Sequence, residues 1–255
     1  CGSVGGGTAN TAPGAILGSA TVGGGSSNDA TGDYSVIAGG RSGTASATNA
    51  AIVGGYSSTA SGTCSFVGSG LLNLASGGSA SVVGGRQNQA TTVCSFIGGG
   101  YINCTVSGTH TAVVGGTANH ACGACSFVGG GQRNCTVAGN HTAIVGGCAN
   151  CIEGTSPYSF IGGGLSNCIC TATCATIVGG TGNRVCGASG LIGSGSNNTL
   201  SAAAVGSTIL GSNMCSVSAN MLHTFSLFLS NIPTSDPGTH GVVWRDGVTL
   251  KISIG

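Results

Sequence analysis

The chain has 255 residues, with six Lys or Arg, five Asp or Glu and a formal net charge of +1 at pH 7. Glycine supplies 52 residues, and 40% of the chain is hydrophobic. This composition excludes a disordered chain, which combines low hydrophobicity with high net charge. Six basic residues cannot build an electrostatic footprint for nucleic acid, and no apolar run is long enough to span a membrane. We therefore expect neither nucleic-acid binding nor membrane insertion.

A short phrase recurs along the chain: two adjacent apolar residues, then Gly-Gly or Gly-Ser, then Asn four or five residues later. Self-similarity at a fixed period predicts a solenoid, because one unit cannot bury its apolar side alone and must stack on its neighbours. The first apolar residues of the clear copies are the predicted core columns: Phe66, Val82, Phe96, Val113, Phe127, Ile144, Phe160, Ile177 and Leu191. The Asn residues that follow are predicted to stack as a ladder along the axis: Asn73, Asn88, Asn103, Asn119, Asn134, Asn150, Asn167, Asn183 and Asn198.

The spacing predicts about 15 to 16 residues per coil. The first apolar position alternates between Phe and a β-branched residue, which predicts a two-coil repeat of about 31 residues. Adjacent residues of a strand point to opposite faces, so Phe96 and Ile97 predict a strand that is buried on both sides. Since one coil has a single interior, the second apolar face predicts packing against sister chains, with a homotrimer as the natural closure.

The run Ser95-Phe96-Ile97-Gly98-Gly99-Gly100, followed by Asn103 and by Ser107-Gly108, resembles the head repeats of trimeric autotransporter adhesins. It is also similar to trimeric β-roll segments of phage and virus fibres. The resemblance covers roughly residues 33 to 200. It implies an all-β fold with a left-handed parallel β-roll, a trimer, and a role in surface attachment. Residues 1–219 are predicted to form this shaft or head.

Residues 220–255 break the repeat and are predicted to form a small β module. The run Ser235-Asp236-Pro237-Gly238 favours a turn. Two strand-like runs, 241–244 and 248–254, are joined by Arg245-Asp246-Gly247, and Asp-Gly between such runs favours a hairpin. The stretch 229–238, together with Trp244, resembles a tail found at the ends of many phage and viral structural proteins.

Fourteen cysteines are many, but the chain is too long for them to indicate a disulfide framework by themselves. Three cysteines stand two positions before a Phe and are predicted to be buried small apolar side chains: Cys64, Cys94 and Cys125. The candidate disulfide partners are Cys135, Cys151 and Cys168, on three consecutive coils, and Cys170 and Cys186, on adjacent coils. In-register neighbours point the same way, so unpaired thiols are the alternative.

The column directly after the ladder contains Cys104, His120, Cys135 and Cys151, which in principle could hold zinc. Although the C-x-x-C pair Cys122/Cys125 lies near it, we interpret the column as a variable surface position and expect no metal and no cofactor. Four sequons make candidate glycosylation sites, although such matches arise by chance in a Thr-rich repeat with an Asn ladder: Asn103, Asn134, Asn140 and Asn197.

The acidic residues are scattered, so they cannot assemble a paired-carboxylate site, and we expect no enzymatic activity. The repeats and the tail predict a trimeric structural fibre protein of a virus or phage, exposed on the virion surface and used for host attachment. Its expected partners are its own copies, other virion or fibre components and a host receptor. The alternatives are a trimeric adhesin or extracellular filament on a microbial cell surface and, more remotely, an ice-binding solenoid, which needs a regular Thr-x-Thr face.

Overall fold

The structure is a computed structural model that describes residues 2–13, 18–224, 233, 235, 243–246 and 249–252. The chain divides into two compact units, Cys1–His223 and Thr224–Gly255. The predicted boundary, after residue 219, lies close to this division. The described residues contain no helix, and hence none long and apolar enough to cross a bilayer.

The first unit is a parallel β-solenoid in which each coil adds one short strand to each of two sheets. All-β architecture, parallel stacking and a coil of about 15 residues agree with the sequence prediction. The fifteen strands of the first sheet are Ser3–Val4, Thr21–Val22, Val36–Ile37, Ala51–Ile52, Phe66–Val67, Ser81–Val82, Phe96–Ile97, Ala112–Val113, Phe127–Val128, Ala143–Ile144, Phe160–Ile161, Thr176–Ile177, Leu191–Ser194, Thr208–Leu210 and Leu222–Thr224. The thirteen strands of the second sheet are Asp29–Ala30, Thr44–Ala45, Thr59–Ala60, Leu74–Ala75, Gln89–Ala90, Cys104–Thr105, His120–Ala121, Cys135–Thr136, Cys151–Glu153, Cys168–Cys170, Arg184–Val185, Thr199–Leu200 and Cys215–Ser216.

The core lies between the two sheets and combines large residues on one side with small residues on the other. The inward column of the first sheet is Val22, Ile37, Ile52, Val67, Val82, Ile97, Val113, Val128, Ile144, Ile161, Ile177, Ile192 and Ile209. The second sheet faces it mainly with Ala, as at Ala45, Ala60 and Ala90. From Ile152 onward this side changes to the larger residues Ile169, Val185 and Leu200.

The structure corrects the predicted core columns. Phe66 pairs with Ser81, and Val67 pairs with Val82, so the first apolar residue of a Phe phrase and that of a Val phrase face opposite sides. In a Val phrase a small residue, such as Ser81, occupies the strand position that Phe occupies in a Phe phrase. The apolar pair of a Val phrase therefore begins one position further along the strand. Four predicted core residues are fully buried: Val82, Val113, Ile144 and Ile177. The other five lie on the outer side of the sheet and are half-buried or exposed: Phe66, Phe96, Phe127, Phe160 and Leu191.

The glycines at the corner of a coil differ in whether the backbone requires them. Gly100 has a φ of +89°, and a Cβ added there would lie 2.1 Å from the carbonyl oxygen of Gly116 in the next coil. Only glycine fits such a position without strain. A Cβ on the preceding Gly99 would meet nothing within 4 Å. Gly100 is therefore required by the backbone and Gly99 is not. A Cβ on Gly98, the first glycine of this phrase, would lie 2.4 Å from the carbonyl oxygen of Val114.

In the second unit, Val243–Asp246 and Thr249–Ile252 form a two-stranded antiparallel sheet. Val243 lies opposite Ile252, and Asp246 lies opposite Thr249. The strands therefore include part of the segment that was predicted to join them. Residues 247–248, and most of the predicted turn at 235–238, lie outside the described residues.

Candidate functional sites on two outer faces

The outer side of the first sheet carries a continuous row of exposed apolar side chains, with one large group in each coil. We call it the outer row: Val53, Phe66, Val83, Phe96, Val114, Phe127, Val145, Phe160 and Val178. Phe127 is 38% exposed and Val145 is 50% exposed. Nine coils at about 4.8 Å each make the row about 40 Å long.

Phe and Val occupy different positions of the strand. Their alternation still places one large side chain at the same lateral position in every coil of the outer row. In a Phe coil a glycine follows two residues after Phe, and a Cβ on Gly98 would lie 3.4 Å from Cε1 of Phe96. In the next coil a small residue, Ala112, stands in the Phe position, and Val114 stands in the glycine position. The ring of each Phe thus lies over its glycine, where the next coil places its Val side chain.

The predicted Asn ladder stacks inside the solenoid, and its members are at most 1% exposed. Nδ2 of Asn103 donates to the carbonyl of Gly99 at 2.8 Å and to that of Gly116, in the next coil, at 2.9 Å. Its Oδ1 accepts the backbone N–H of Asn119 at 3.0 Å. Each amide therefore binds mainly to the backbone of its own and the next coil, and direct bonds between ladder amides are added only at some steps, such as from Asn198 to Asn183 at 3.0 Å.

The four sequons fall into two groups. Asn103 and Asn134 are ladder residues whose buried amides are already hydrogen-bonded, so neither presents its nitrogen for glycosylation. Asn140 and Asn197 are exposed. The structure therefore leaves only Asn140 and Asn197 as candidates for a glycan.

Three cysteines that were predicted to be buried are exposed instead: Cys64, Cys94 and Cys125. Each has a φ between 54° and 57° and occupies a left-handed corner. The strand begins only at the following Phe, so the alternation of a strand does not extend back to the cysteine. The thirteen cysteines that the structure describes are all free thiols.

The outer side of the second sheet gathers most of the remaining thiols. Cys104 pairs with His120, and His120 pairs with Cys135, as the predicted column requires. The register continues from Cys135 to Cys151 and then to Cys168. Two residues further along the strand, Glu153 pairs with Cys170. The result is a double column of thiols with one carboxylate in it.

The candidate disulfide partners are close but not joined. Sγ of Cys170 lies 3.4 Å from Sγ of Cys168 and 3.4 Å from Sγ of Cys186, whereas a disulfide bond is about 2.05 Å long. In-register side chains on neighbouring strands point the same way, about 4.8 Å apart. That exceeds the Cβ separation of about 3.5 to 4.5 Å that a disulfide requires.

Thiol hydrogen bonds and burial raise the pKa values of four thiols on this face. A hydrogen bond donated to Cys135, together with burial, raises the pKa of the Cys122 thiol far above its ordinary range. Burial and the neighbouring Cys122 raise the pKa of Cys104 to about 11. Burial also raises the pKa values of Cys168 and Cys170.

One cluster of potential metal ligands on this face was not predicted from the sequence. Ligand atoms of Glu153, Cys168 and Cys170 lie within 4.8 Å of one another, a spacing at which one metal ion could touch all three. Cys168 and Cys170 were predicted only as candidate disulfide partners, and Glu153 was not assigned to any site. The signal that could have found them is the run Cys168-Ile169-Cys170, whose two thiols leave the same face of a strand.

In comparisons with known proteins, no family model matches the chain, and no curated protein matches it. The resemblance to adhesin heads and to phage and virus fibres therefore rests on the repeat phrases and on the tail.

Proposed function

We propose that the chain is a subunit of a trimeric structural fibre, a left-handed β-roll with a two-coil repeat, whose outer rows pack together around the trimer axis. The observation that carries this proposal is the outer row. Contiguous exposed apolar surface of this extent is unusual on a monomer and is typical of an interaction site.

The partner that suits the outer row best is another copy of the same chain. The large side chains of the outer row recur once per coil and come alternately from two positions of the strand. A partner surface that is complementary to them over nine coils must have the same repeat, as a second copy of the chain does. The row contains no charged residue, which favours an apolar partner. Around a threefold axis, the three copies of Phe127 would lie at one level, and the three copies of Val145 at the next.

A fibre on the virion surface that serves in host attachment is the biological role that we assign to this trimer. The repeat phrases and the C-terminal tail support it through their similarity to phage and viral structural proteins. Its partners would be its own copies, other virion components and a host receptor. The subunit would act by holding a shape, without catalysis, since the carboxylates of the repeats do not form a pair.

The test compares two matched substitutions on opposite sheets. Val145 belongs to the outer row, and Val137, which is 44% exposed, follows a strand of the second sheet. We expect the unsubstituted chain to sediment at three times its mass of 24.0 kDa. Val145→Glu should release monomers because it places a charge in the interface, whereas Val137→Glu should leave the trimer intact. A chain that stays monomeric at every concentration tested would refute the proposal.

A further inference from the structure

Three successive coils bring three thiols and a carboxylate together on the outer side of the second sheet. Sγ of Cys170 lies 3.4 Å from Sγ of both Cys168 and Cys186. Ligand atoms of Glu153, Cys168 and Cys170 all lie within 4.8 Å of one another. We call Glu153, Cys168, Cys170 and Cys186 the thiol cluster.

We propose that the thiol cluster binds one Zn²⁺ ion through the thiolates of Cys168, Cys170 and Cys186 and the carboxylate of Glu153. Zinc takes Cys and Glu ligands and prefers four of them in a tetrahedron. With Zn–S bonds of about 2.3 Å, two tetrahedral thiolates lie about 3.8 Å apart, so the 3.4 Å separations of Cys170 from Cys168 and from Cys186 need only a small adjustment. Cys186 lies outside the group of mutually close ligand atoms, so its thiol must move toward the ion to complete the site. Thiolates favour this ion over Mg²⁺ or Ca²⁺, which prefer oxygen ligands.

A disulfide fits the same sulfurs less well. Cys168 and Cys170 are two residues apart on one strand, so their Cα atoms lie about 6.7 Å apart, at the upper limit for a bridge. Cys186 directly follows the strand Arg184–Val185, which neighbours the strand of Cys170. The two sulfurs lie 3.4 Å apart, closer than the strand spacing of about 4.8 Å but beyond the disulfide bond length of about 2.05 Å. A metal ion above the sheet can bind the Cys170 and Cys186 thiols close to their observed separation of 3.4 Å.

The surroundings supply both access and charge balance. Glu153 is exposed, Cys168 is half-buried and Cys170 is buried, so an ion can enter from the carboxylate side and reach the inner thiol. Three thiolates and one carboxylate around Zn²⁺ carry a net charge of −2. The Arg184 guanidinium interacts with Cys186 and the other two thiols and would offset part of that charge.

The ion would fasten three consecutive coils to one another, since Glu153, the Cys168/Cys170 pair and Cys186 lie on successive strands. This is also the region in which the core thickens to Ile152 and Ile169. Zinc would then act as a clamp at one level of the solenoid. The inference does not depend on the proposed trimer, because all four ligands come from one chain.

The test uses the full chain, reduced, stripped of metal with a chelator and kept free of oxygen. Competition with a chromophoric chelator should show that Cys170→Ser weakens the tightest Zn²⁺ site by at least about 100-fold and that Glu153→Gln weakens it by about 10-fold. Cys94→Ser is the matched control, because it removes an exposed thiol at a distant corner and should leave the affinity unchanged. Co²⁺ should show thiolate charge-transfer absorption in the unsubstituted chain and in Cys94→Ser, and should lose most of it in Cys170→Ser.

Thermal unfolding gives a second readout, which stays informative even if Cys170→Ser is less stable than the unsubstituted chain. Zn²⁺ should raise the melting temperature of the unsubstituted chain and of Cys94→Ser, since a ligand that binds the folded state stabilises it. It should not raise that of Cys170→Ser, whatever the starting value. The proposal is overturned if Zn²⁺ affinity is equal in Cys170→Ser and the unsubstituted chain, if bound Co²⁺ shows no thiolate absorption, or if mass spectrometry finds Cys170 disulfide-bonded to Cys186 in the isolated protein.

Discussion

Oδ1 of Asn134 accepts the backbone N–H of Asn150 at 3.0 Å, and this bond joins two consecutive coils inside the solenoid. Nδ2 of Asn134 donates to Gly130 in its own coil at 2.7 Å and to Gly147 in the next coil at 3.0 Å. One buried side chain therefore binds three backbone groups, and the carbonyl of Gly147 also accepts the N–H of Gln132 at 2.9 Å. The same relationship, repeated from coil to coil, holds the corners in register.

Asn134→Ala should destabilise the solenoid by about 2 to 4 kcal/mol, because three hydrogen bonds are lost and one of them satisfies the backbone N–H of the buried Asn150. Asn140→Ala is the matched control. Asn140 is exposed and accepts one bond, from the N–H of Ala124, so its loss should cost less than about 1 kcal/mol. Urea unfolding followed by circular dichroism measures both values. Equal losses in the two variants would show that the ladder is not a main source of stability.

The two glycines of one phrase should respond differently to the same substitution. Gly100→Ala places a Cβ at a positive φ and 2.1 Å from a backbone carbonyl, so the coil must shift, at a cost of about 2 kcal/mol or more. Gly99→Ala places its Cβ in open space and should change the stability by less than about 1 kcal/mol. Melting temperatures of the two variants test this difference. Similar losses would contradict the assigned corner geometry.

The sequence was sufficient to predict the solenoid, the coil length and the Asn positions, because period and turn chemistry are local properties of the chain. It was not sufficient for the direction of each side chain. Val82 and Phe66 both begin an apolar pair, yet one faces inward and the other outward, and only the pairing of Phe66 with Ser81 sets the frame. The closeness of Cys170 to Cys186 likewise depends on how coils of unequal length stack.

Adjacent residues on one strand should separate folding from assembly. Val128 is fully buried, so Val128→Ala should destabilise the folded chain by about 2 kcal/mol through lost burial and the cavity that it leaves. Phe127 is 38% exposed in the single chain, so Phe127→Ala should cost the monomer less than Val128→Ala. If the outer row forms the trimer interface, Phe127→Ala should also weaken association. Unfolding curves and sedimentation at several concentrations distinguish the two effects, and a larger monomer destabilisation by Phe127→Ala would reverse the assignment of the two faces.

The stability of the solenoid should decrease at alkaline pH because of its buried thiols. Burial and Cys122 raise the pKa of Cys104 in the folded chain from 9.0 to about 11. Between these values the folded chain keeps the proton that the unfolded chain has lost, so the free energy of unfolding falls as pH rises. This contribution is fully present below pH 9 and is lost progressively toward pH 11. Urea unfolding from pH 8 to pH 11 should show the decline, and Cys104→Ala should flatten it. In peptide mapping after brief alkylation, Cys104 should react more slowly than the exposed Cys94, because Cys104 is half-buried. An unchanged slope in Cys104→Ala, together with equal alkylation of Cys94 and Cys104 at every pH, would mean that the second sheet does not shield this thiol.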